Sequence, residues 1–349
     1  MNNFYNLNRR QFVKAGGIAL GTSLLAACTN QNANQSASQN DGNLDRIRLG
    51  LNWKAEAEYG GFYQAVATGL YREYGLDVEI QPLPPQGNIT QMLMGGLMDF
   101  AIGQAVNALQ AIEQGIPKVT LGSIFQDEIQ VLLAHPGVGN DSLADLKGKT
   151  IFITPGLSII YWPLLEKQYG YTQGQQRPYN FNVTPFLVDN NSAQQGILTS
   201  EPYIIEQVGG FKPVVLPLKA TGLNPYNFTI ETTNQLVETN PDLVQRFMDA
   251  SIKGWYRYLA EPTLGNELIK QDNPEMTDDL IAFALEKIEE YQAINFGDAN
   301  TLGIGAMTED RWKTLYEQLI EIGVLNAKIN YKDAYTLDFI NKGVDYYQS

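Results

Sequence analysis

The sequence predicts an α/β protein of two lobes, each a mixed sheet flanked by helices. Three observations predict it. The chain has 349 residues, 44% of them hydrophobic, which is more than one domain core ordinarily holds and suits two lobes of roughly 100–150 residues. Strand-like and helix-like runs alternate along the body, the pattern of βαβ units and a largely parallel sheet. One apolar strand-like run, residues 129–135, has no helix before it and fits a crossing from one lobe to the other.

Residues 47–53 alternate apolar and polar side chains as a half-buried strand does. Residues 62–74 carry apolar side chains at helical spacing, and Gly75 supplies the stop. A strand over 77–81, a helix over 89–97, a strand over 99–103, a helix over 106–114 and a strand over 118–125 complete the first series. After the crossing come a strand over 150–153, a helix over 159–168, a strand over 182–187, a helix over 193–198 and a strand over 213–217. Residues 226–230 return to the first lobe. The remainder reads as helices over 241–259, with Asn240 near the cap, 278–291, and 309–322 ended by Gly323. Lobe 1 is therefore expected to comprise 45–127 and 223–349, and lobe 2 to comprise 128–222.

The first 44 residues read as an address and a tether. Arg9, Arg10 and Lys14 precede an apolar stretch too short to span a membrane, and Leu25-Ala26-Ala27-Cys28 closes it. Residues 1–27 are expected to be a signal peptide. The paired arginines followed by Phe12 and Lys14 resemble a twin-arginine signal, although general-secretion substrates also carry two arginines. Leu25-Ala26-Ala27-Cys28 resembles a bacterial lipobox, which implies a lipidated Cys28. Residues 28–44 are polar and of low complexity, so they read as a flexible tether.

Composition excludes several classes. The net charge is −14 and no Lys/Arg cluster stands out, which speaks against nucleic acid as a partner. A single Cys and a single His, Cys28 and His135, rule out a zinc site of four Cys/His ligands and any disulfide within the chain. No phosphate loop and no Ser with a nearby His base is apparent, so neither catalysis nor a cofactor is expected. Carboxylate pairs such as Asp278-Asp279 and Glu289-Glu290 read as solvated helix faces.

Several segments together resemble the nitrate/sulfonate/taurine class of substrate-binding proteins of ABC importers, in the branch related to thiamine-pyrimidine synthases. They are Gly50-Leu51-Asn52-Trp53, Gly61-Phe62-Tyr63-Gln64-Ala65, and Gly69-Leu70-Tyr71-Arg72-Glu73-Tyr74-Gly75-Leu76-Asp77-Val78. Leu143-Ala144-Asp145-Leu146-Lys147-Gly148-Lys149-Thr150, Thr199-Ser200-Glu201-Pro202-Tyr203 and Asn240-Pro241-Asp242-Leu243-Val244 extend it. The resemblance implies a type II-like periplasmic-binding-protein fold with a ligand cleft between the lobes. It also implies a small-molecule ligand, a permease with its ATPase as partners, and a chain exported and held at the bacterial cell membrane by its lipid alone. One departure stands out. The branch often has a Pro and a His after the first strand, where this chain has Lys54-Ala55-Glu56-Ala57-Glu58-Tyr59-Gly60. The synthases of this fold consume an active-site His and carry a Cys-rich motif, both missing here.

In open α/β sheets ligands sit outside the carboxyl ends of the strands, so the candidates are read from strand ends and helix starts. Asn52 and Trp53 end the first strand; Trp53 offers a flat face with an N–H donor, or packs beneath the next helix. Glu58 and Tyr59 lie at that helix's mouth, where Glu58 accepts from a ligand amine or partners the helix dipole. Gln86-Gly87-Asn88 opens a helix, so Gly87 and Asn88 either present free N–H groups or simply form a turn and cap. Gln104 follows the third strand; Phe125 and Gln126 close the fourth. Ser158 and Trp162 sit near the start of a lobe 2 helix, as cap and core or as ligand contacts. Asp189 stands at a strand end, and Glu201 follows a helix. Trp53, Tyr59, Phe125 and Trp162 suit stacking, and the polar residues around them are mainly acceptors. The expected ligand is therefore a neutral or weakly basic heteroaromatic molecule such as a pyrimidine-type vitamin precursor. The alternatives are a sulfonate or oxyanion such as taurine, nitrate or bicarbonate, and a thiamine-pyrimidine-synthase-like enzyme.

Overall fold

The computed structural model describes residues 44–83, 87–326 and 328–349. The expected signal segment, Cys28, all of the tether before Leu44, and Gln86 lie outside them. Two five-stranded mixed sheets form the body. The first runs β2-β1-β3-β10-β4, from β1 Asp45–Gly50, β2 Leu76–Gln81, β3 Phe100–Gln104, β4 Lys118–Phe125 and β10 Asn227–Thr233. The second runs β7-β6-β8-β5-β9, from β5 Gln130–Ala134, β6 Thr150–Ile153, β7 Gln176–Pro178, β8 Ser192–Ile197 and β9 Val214–Pro217. In the first sheet β1 lies parallel to β2 and β3, while β10 runs antiparallel to β3 and β4. In the second, β6 lies parallel to β7 and β8, and β5 runs antiparallel to β8 and β9. The chain passes between the sheets twice, after Phe125 and again between Pro217 and Asn227.

Helices cover both sheets. In the first half they are α1 Gly60–Ala67, α2 Leu70–Glu73, α3 Ile89–Met94, α4 Ala105–Glu113, α5 Pro155–Tyr169, α6 Thr184–Leu187 and α7 Glu201–Gly209. There follow α8 Asn234–Thr239, α9 Pro241–Ala260, α10 Thr263–Asp272, α11 Asp278–Glu290, α12 Ala299–Leu302, α13 Glu309–Glu321 and α14 Val344–Gln348. Among the described residues no helix is long and apolar enough to cross a membrane.

The longest helix, α9, starts where Asn240 accepts the Leu243 N–H at 3.3 Å and Pro241 takes the first turn, which needs no donor. Its apolar stripe, Val244, Phe247, Met248, Ile252, Trp255 and Tyr258, is fully buried. Each such side chain contributes on the order of 1.5–3 kcal/mol. This stripe meets α1 at glycines. A Cβ on Gly61 would lie 2.2 Å from the Trp255 ring, so only glycine allows the two helices to approach this closely. Every residue of the edge strand β4 is buried, because the chain's last third covers it: Thr120 bridges to Tyr335 and Ser123 to Gly305. Within this sheet Lys118 and Glu231 form a fully buried ion pair at 2.5 Å.

Four sequence expectations need correction. The helix over 62–74 breaks at Gly69, whose φ of 75° ends α1 before α2 begins. Residues 182–187 are not a strand. Asn182 accepts the Thr184 N–H at 3.0 Å and Pro185 sits in the first turn, so the chain forms α6. Residues 193–198 are not a helix. Ser192–Ile197 is strand β8, hydrogen-bonded to β5 on one side and β6 on the other, and this pairing overrides the helix preference of its Ala and Gln residues. Glu201 therefore opens α7 instead of following a helix. The strand β7, Gln176-Arg177-Pro178, has no apolar alternation and ends in proline, so the sequence carries no signal for it.

Candidate functional site

The two sheets face one another across a cavity of about 200 Å³. Strand direction explains its lining. The carboxyl ends of β1, β3 and β8 supply Asn52 and Trp53, Gln104, and Ile197 with Ser200 and Glu201. The amino ends of the antiparallel strands β10 and β5 reach the same edge and supply Asn227, Phe228, Ile129 and Gln130. Glu56 and Tyr59 join from the turn before α1, Phe181 from the loop after β7, and Gln195 from within β8.

Aromatic rings wall this space from both lobes. Trp53 and Phe181 meet across the cleft with centroids 4.6 Å apart, and Tyr59 stands edge-on to Phe228 at 5.3 Å. Phe181 and Phe228 both hold left-handed backbone, with φ of 57° and 48°. The latter sits where the β10–β3 register slips. That conformation costs a non-glycine residue about 1–3 kcal/mol and gathers at sites where a side chain must be aimed.

The polar groups are mostly acceptors. Glu201 accepts the Ile197 N–H at 2.8 Å and the Tyr179 hydroxyl at 3.3 Å. Tyr59 donates to Asn52 at 2.7 Å, and Thr154 N–H to Gln195 at 2.8 Å. The Gln130 Oε1 is closed off from solvent and has no hydrogen-bond partner among the described residues. Behind the turn, buried Glu58 accepts from Thr199 of the opposite lobe. Burial lifts the Glu56 carboxyl well above its ordinary range, with further upward pressure from Glu58 and Glu201, against smaller opposing effects of Trp53 and Lys54. Burial also raises Glu58, opposed by its bond from Thr199, and raises Glu201, opposed by the Ile197 N–H. Tyr59 is pushed far up by burial and by Glu56 and Glu58. No Lys or Arg is among the described residues lining the cavity; Lys54, the nearest in sequence, is paired with Glu275 at 2.6 Å.

Of the residues singled out from sequence, Asn52, Trp53, Tyr59, Gln104 and Glu201 line the cavity. Glu58 and Phe125 lie one layer behind, Phe125 packing on Phe228 at 4.5 Å. The others lie elsewhere. Gln126 is fully buried, donates to the Ser123 and Ala306 carbonyls and accepts from Arg311 at 3.1 Å, so it fastens the crossing segment. Asn88 caps α3 by accepting the Gln91 N–H at 2.9 Å, and exposed Gly87 precedes it. Ser158 donates to Gln176, while Trp162 is buried against Tyr171 and donates to Glu166. Asp189 sits at the amino end of β8, the end away from the cavity, because the element order around it was shifted.

Sequence reasoning missed Glu56, Gln130, Phe181, Gln195, Asn227 and Phe228. Asn227 and Phe228 were findable: a strand returning antiparallel brings its amino end to the edge where the parallel strands present their carboxyl ends. A larger cavity, about 410 Å³, lies between α9 and α11, lined by Tyr258, Leu285, Ile288 and Gln292. It touches no strand end and gathers no comparable set of rings and acceptors.

A segment that joins the two sheets also meets the site. Buried Glu128 accepts the Gln130 N–H and the Asn227 amide, both at 2.9 Å, and the Tyr161 hydroxyl. It thereby ties the first sheet to α5. Beside it Asp127 binds Lys219 and Asn224, and Arg311 stacks on Tyr226 at 3.9 Å while donating to the Gln126 and Asn224 carbonyls.

Comparison with known proteins agrees with this architecture. The riboflavin-binding protein RibY of Chloroflexus aurantiacus is 24% identical over 312 residues, covering 86% of this chain and 87% of its own. The formylaminopyrimidine-binding protein of Halalkalibacterium halodurans is 24% identical over 292 residues, 78% of this chain and 85% of its own. A 4-amino-5-hydroxymethyl-2-methylpyrimidine phosphate synthase of Saccharomyces cerevisiae is 22% identical over 250 residues, 68% and 74%. The periplasmic aliphatic sulphonate binding protein SsuA of Escherichia coli shares the fold, with a TM-score of 0.65 at 15% identity over 83% of this chain and 91% of that one. The family model described as NMT1/THI5 like matches residues 56–264, and the chain belongs to the NMT1/THI5-like family.

Proposed function

We propose that this chain is the extracytoplasmic solute-binding component of an ABC importer, which captures a pyrimidine-type or other heteroaromatic small molecule between its lobes and delivers it to a membrane permease. One observation carries this reading: the interlobe cavity is walled by Trp53, Phe181, Tyr59 and Phe228 and edged by Asn, Gln and Glu acceptors. Flat rings favour a flat ligand, and the acceptors suit ring amines and N–H groups. Lobe 1 is taken as 45–127 with 223–349 and lobe 2 as 128–222, with closure about the two crossing segments. A lipid on Cys28 would hold the chain at the outer face of the cell membrane, within reach of the permease and its ATPase.

Two other readings are weaker. A sulfonate or oxyanion would have to bind beside Glu56 and Glu201 without a basic partner among the lining residues. A synthase of the related type would need its reacting His and Cys. Here His135 is buried against Phe186 and Phe211, bonded to the Phe186 carbonyl at 2.8 Å. A thermal-shift screen of the mature protein against vitamins, nucleobases, aminopyrimidines, sulfonates and oxyanions tests the proposal. A ligand at a hundred times its Kd stabilises by about 2.7 kcal/mol, so the heteroaromatic members should raise the melting temperature. Turnover of any of them by the purified protein would favour the enzyme instead.

A further inference from the structure

The cavity's charge is lopsided. Glu56 enters from the first lobe and Glu201 from the second, with Glu58 buried just behind. No described lining residue is basic. The nearby Lys54 is turned to Glu275 at 2.6 Å. Glu201 is fixed by the Ile197 N–H and the Tyr179 hydroxyl, and Glu58 by Thr199. These bonds orient the carboxylates without neutralising them. Aromatic faces stand beside the acids in Trp53, which meets Phe181 at 4.6 Å. Ring faces attract cations as well as flat ligands. Bringing two lobes together over like charges is unfavourable unless something positive enters with them.

We infer that the cleft selects a flat ligand bearing a positive charge, a protonated amine or amidine on a heteroaromatic ring, seated between Glu56 of one lobe and Glu201 of the other. This rests on the heteroaromatic reading above and narrows it. The cation neutralises the acidic pair, its N–H groups donate to the Glu56 and Glu201 carboxylates, and its ring lies against Trp53. Because the two acids come from different lobes, the same charge that selects the ligand also holds the lobes shut. Glu56 and Glu201 are thus specificity-determining residues.

The test uses three aminopyrimidines that share one ring: one with an ammonium arm, its neutral N-formyl derivative, and the matching carboxylate. Each is titrated calorimetrically into the wild-type chain, Glu201→Gln and Glu56→Gln, with the melting temperature of each variant checked for folding. The ammonium compound should bind roughly tenfold or more tightly than the neutral one, and the carboxylate weakest. In either Gln variant the ammonium-to-neutral ratio should fall to about twofold, whatever change the substitution makes in the neutral compound's own affinity. Equal binding of all three rings, unchanged in the variants, would overturn the charge inference and leave the heteroaromatic reading standing; so would a preference for the carboxylate. No binding by any of the three, with taurine or nitrate bound instead, would overturn both.

Discussion

Trp53 and Phe181 close the cleft from opposite sides, their ring centroids 4.6 Å apart and their planes inclined at 51°. One follows the first strand of the first sheet, the other the short strand β7 of the second. A flat ligand entering beside this pair gains ring contact from both lobes at once. Trp53→Ala should weaken binding of a heteroaromatic ligand by about 1–3 kcal/mol, the range for a buried aromatic contact. Trp53→Phe should recover most of that. Calorimetric titration distinguishes them, and unaltered affinity in the Ala variant would remove Trp53 from the site.

The like-charged carboxylates carry a pH signature. Burial raises Glu56, Glu58 and Glu201 in the folded chain. A carboxyl raised on folding binds its proton more tightly there than in the unfolded chain. Its burial is therefore free of cost below the unfolded value, about 4.3, and its destabilisation grows as pH climbs through the raised folded value. Removing one such charge should relieve this. Glu201→Gln without ligand is expected to melt about 2 °C higher than wild type at pH 8 and to show no gain at pH 4. Equal melting at both pH values would mean that the three acids do not strain the empty cleft.

Much of the fold was legible because its signals are local. The run 118–125 is a strand over the same residues the sequence predicts, and Asn240-Pro241 marks the start of α9. The errors fall where local and tertiary preference disagree. Ala193, Gln194 and Gln195 favour a helix by themselves, yet they sit between two strand partners that only the folded sheet provides. That slip moved Asp189 to the wrong end of β8. For the site, strand ends exposed Asn52, Trp53 and Gln104, but Phe181 depends on a left-handed turn that no periodicity announces.

Helix approach gives a prediction independent of ligand. Gly61→Ala would drive a methyl group to 2.2 Å from the Trp255 ring. Overpacking of this kind costs roughly 1–3 kcal/mol. Urea unfolding should register the loss with the slope unchanged. A variant as stable as the parent would mean that α1 and α9 can separate freely.

The crossing segments should act as a hinge. Glu128, Asn227 and Tyr161 tie the sheets together at that point, while Thr199 to Glu58 and Trp53 to Phe181 are the contacts that an open form would break. Small-angle scattering should show the unliganded chain to be more extended, and compaction on saturation with a bound aminopyrimidine. A constant radius of gyration would sink the hinge.

The proposed membrane anchor would rest on Cys28. A bacterial lipoprotein needs more than one acyl chain for stable attachment, and Cys28→Ala removes the residue that would carry them. Fractionation should find the variant released from membranes or stalled as an unprocessed precursor. Wild-type retention and processing would rule out a lipid on this residue.

The most direct measurement of the central claim is calorimetric titration of the mature chain with aminopyrimidines and riboflavin on one side and taurine, nitrate and bicarbonate on the other. The account predicts saturable one-to-one binding at a micromolar or lower Kd, about −8 kcal/mol or stronger, to at least one heteroaromatic compound and none to the anions. Micromolar binding of taurine, nitrate or bicarbonate, with no response to any heteroaromatic compound, would contradict it.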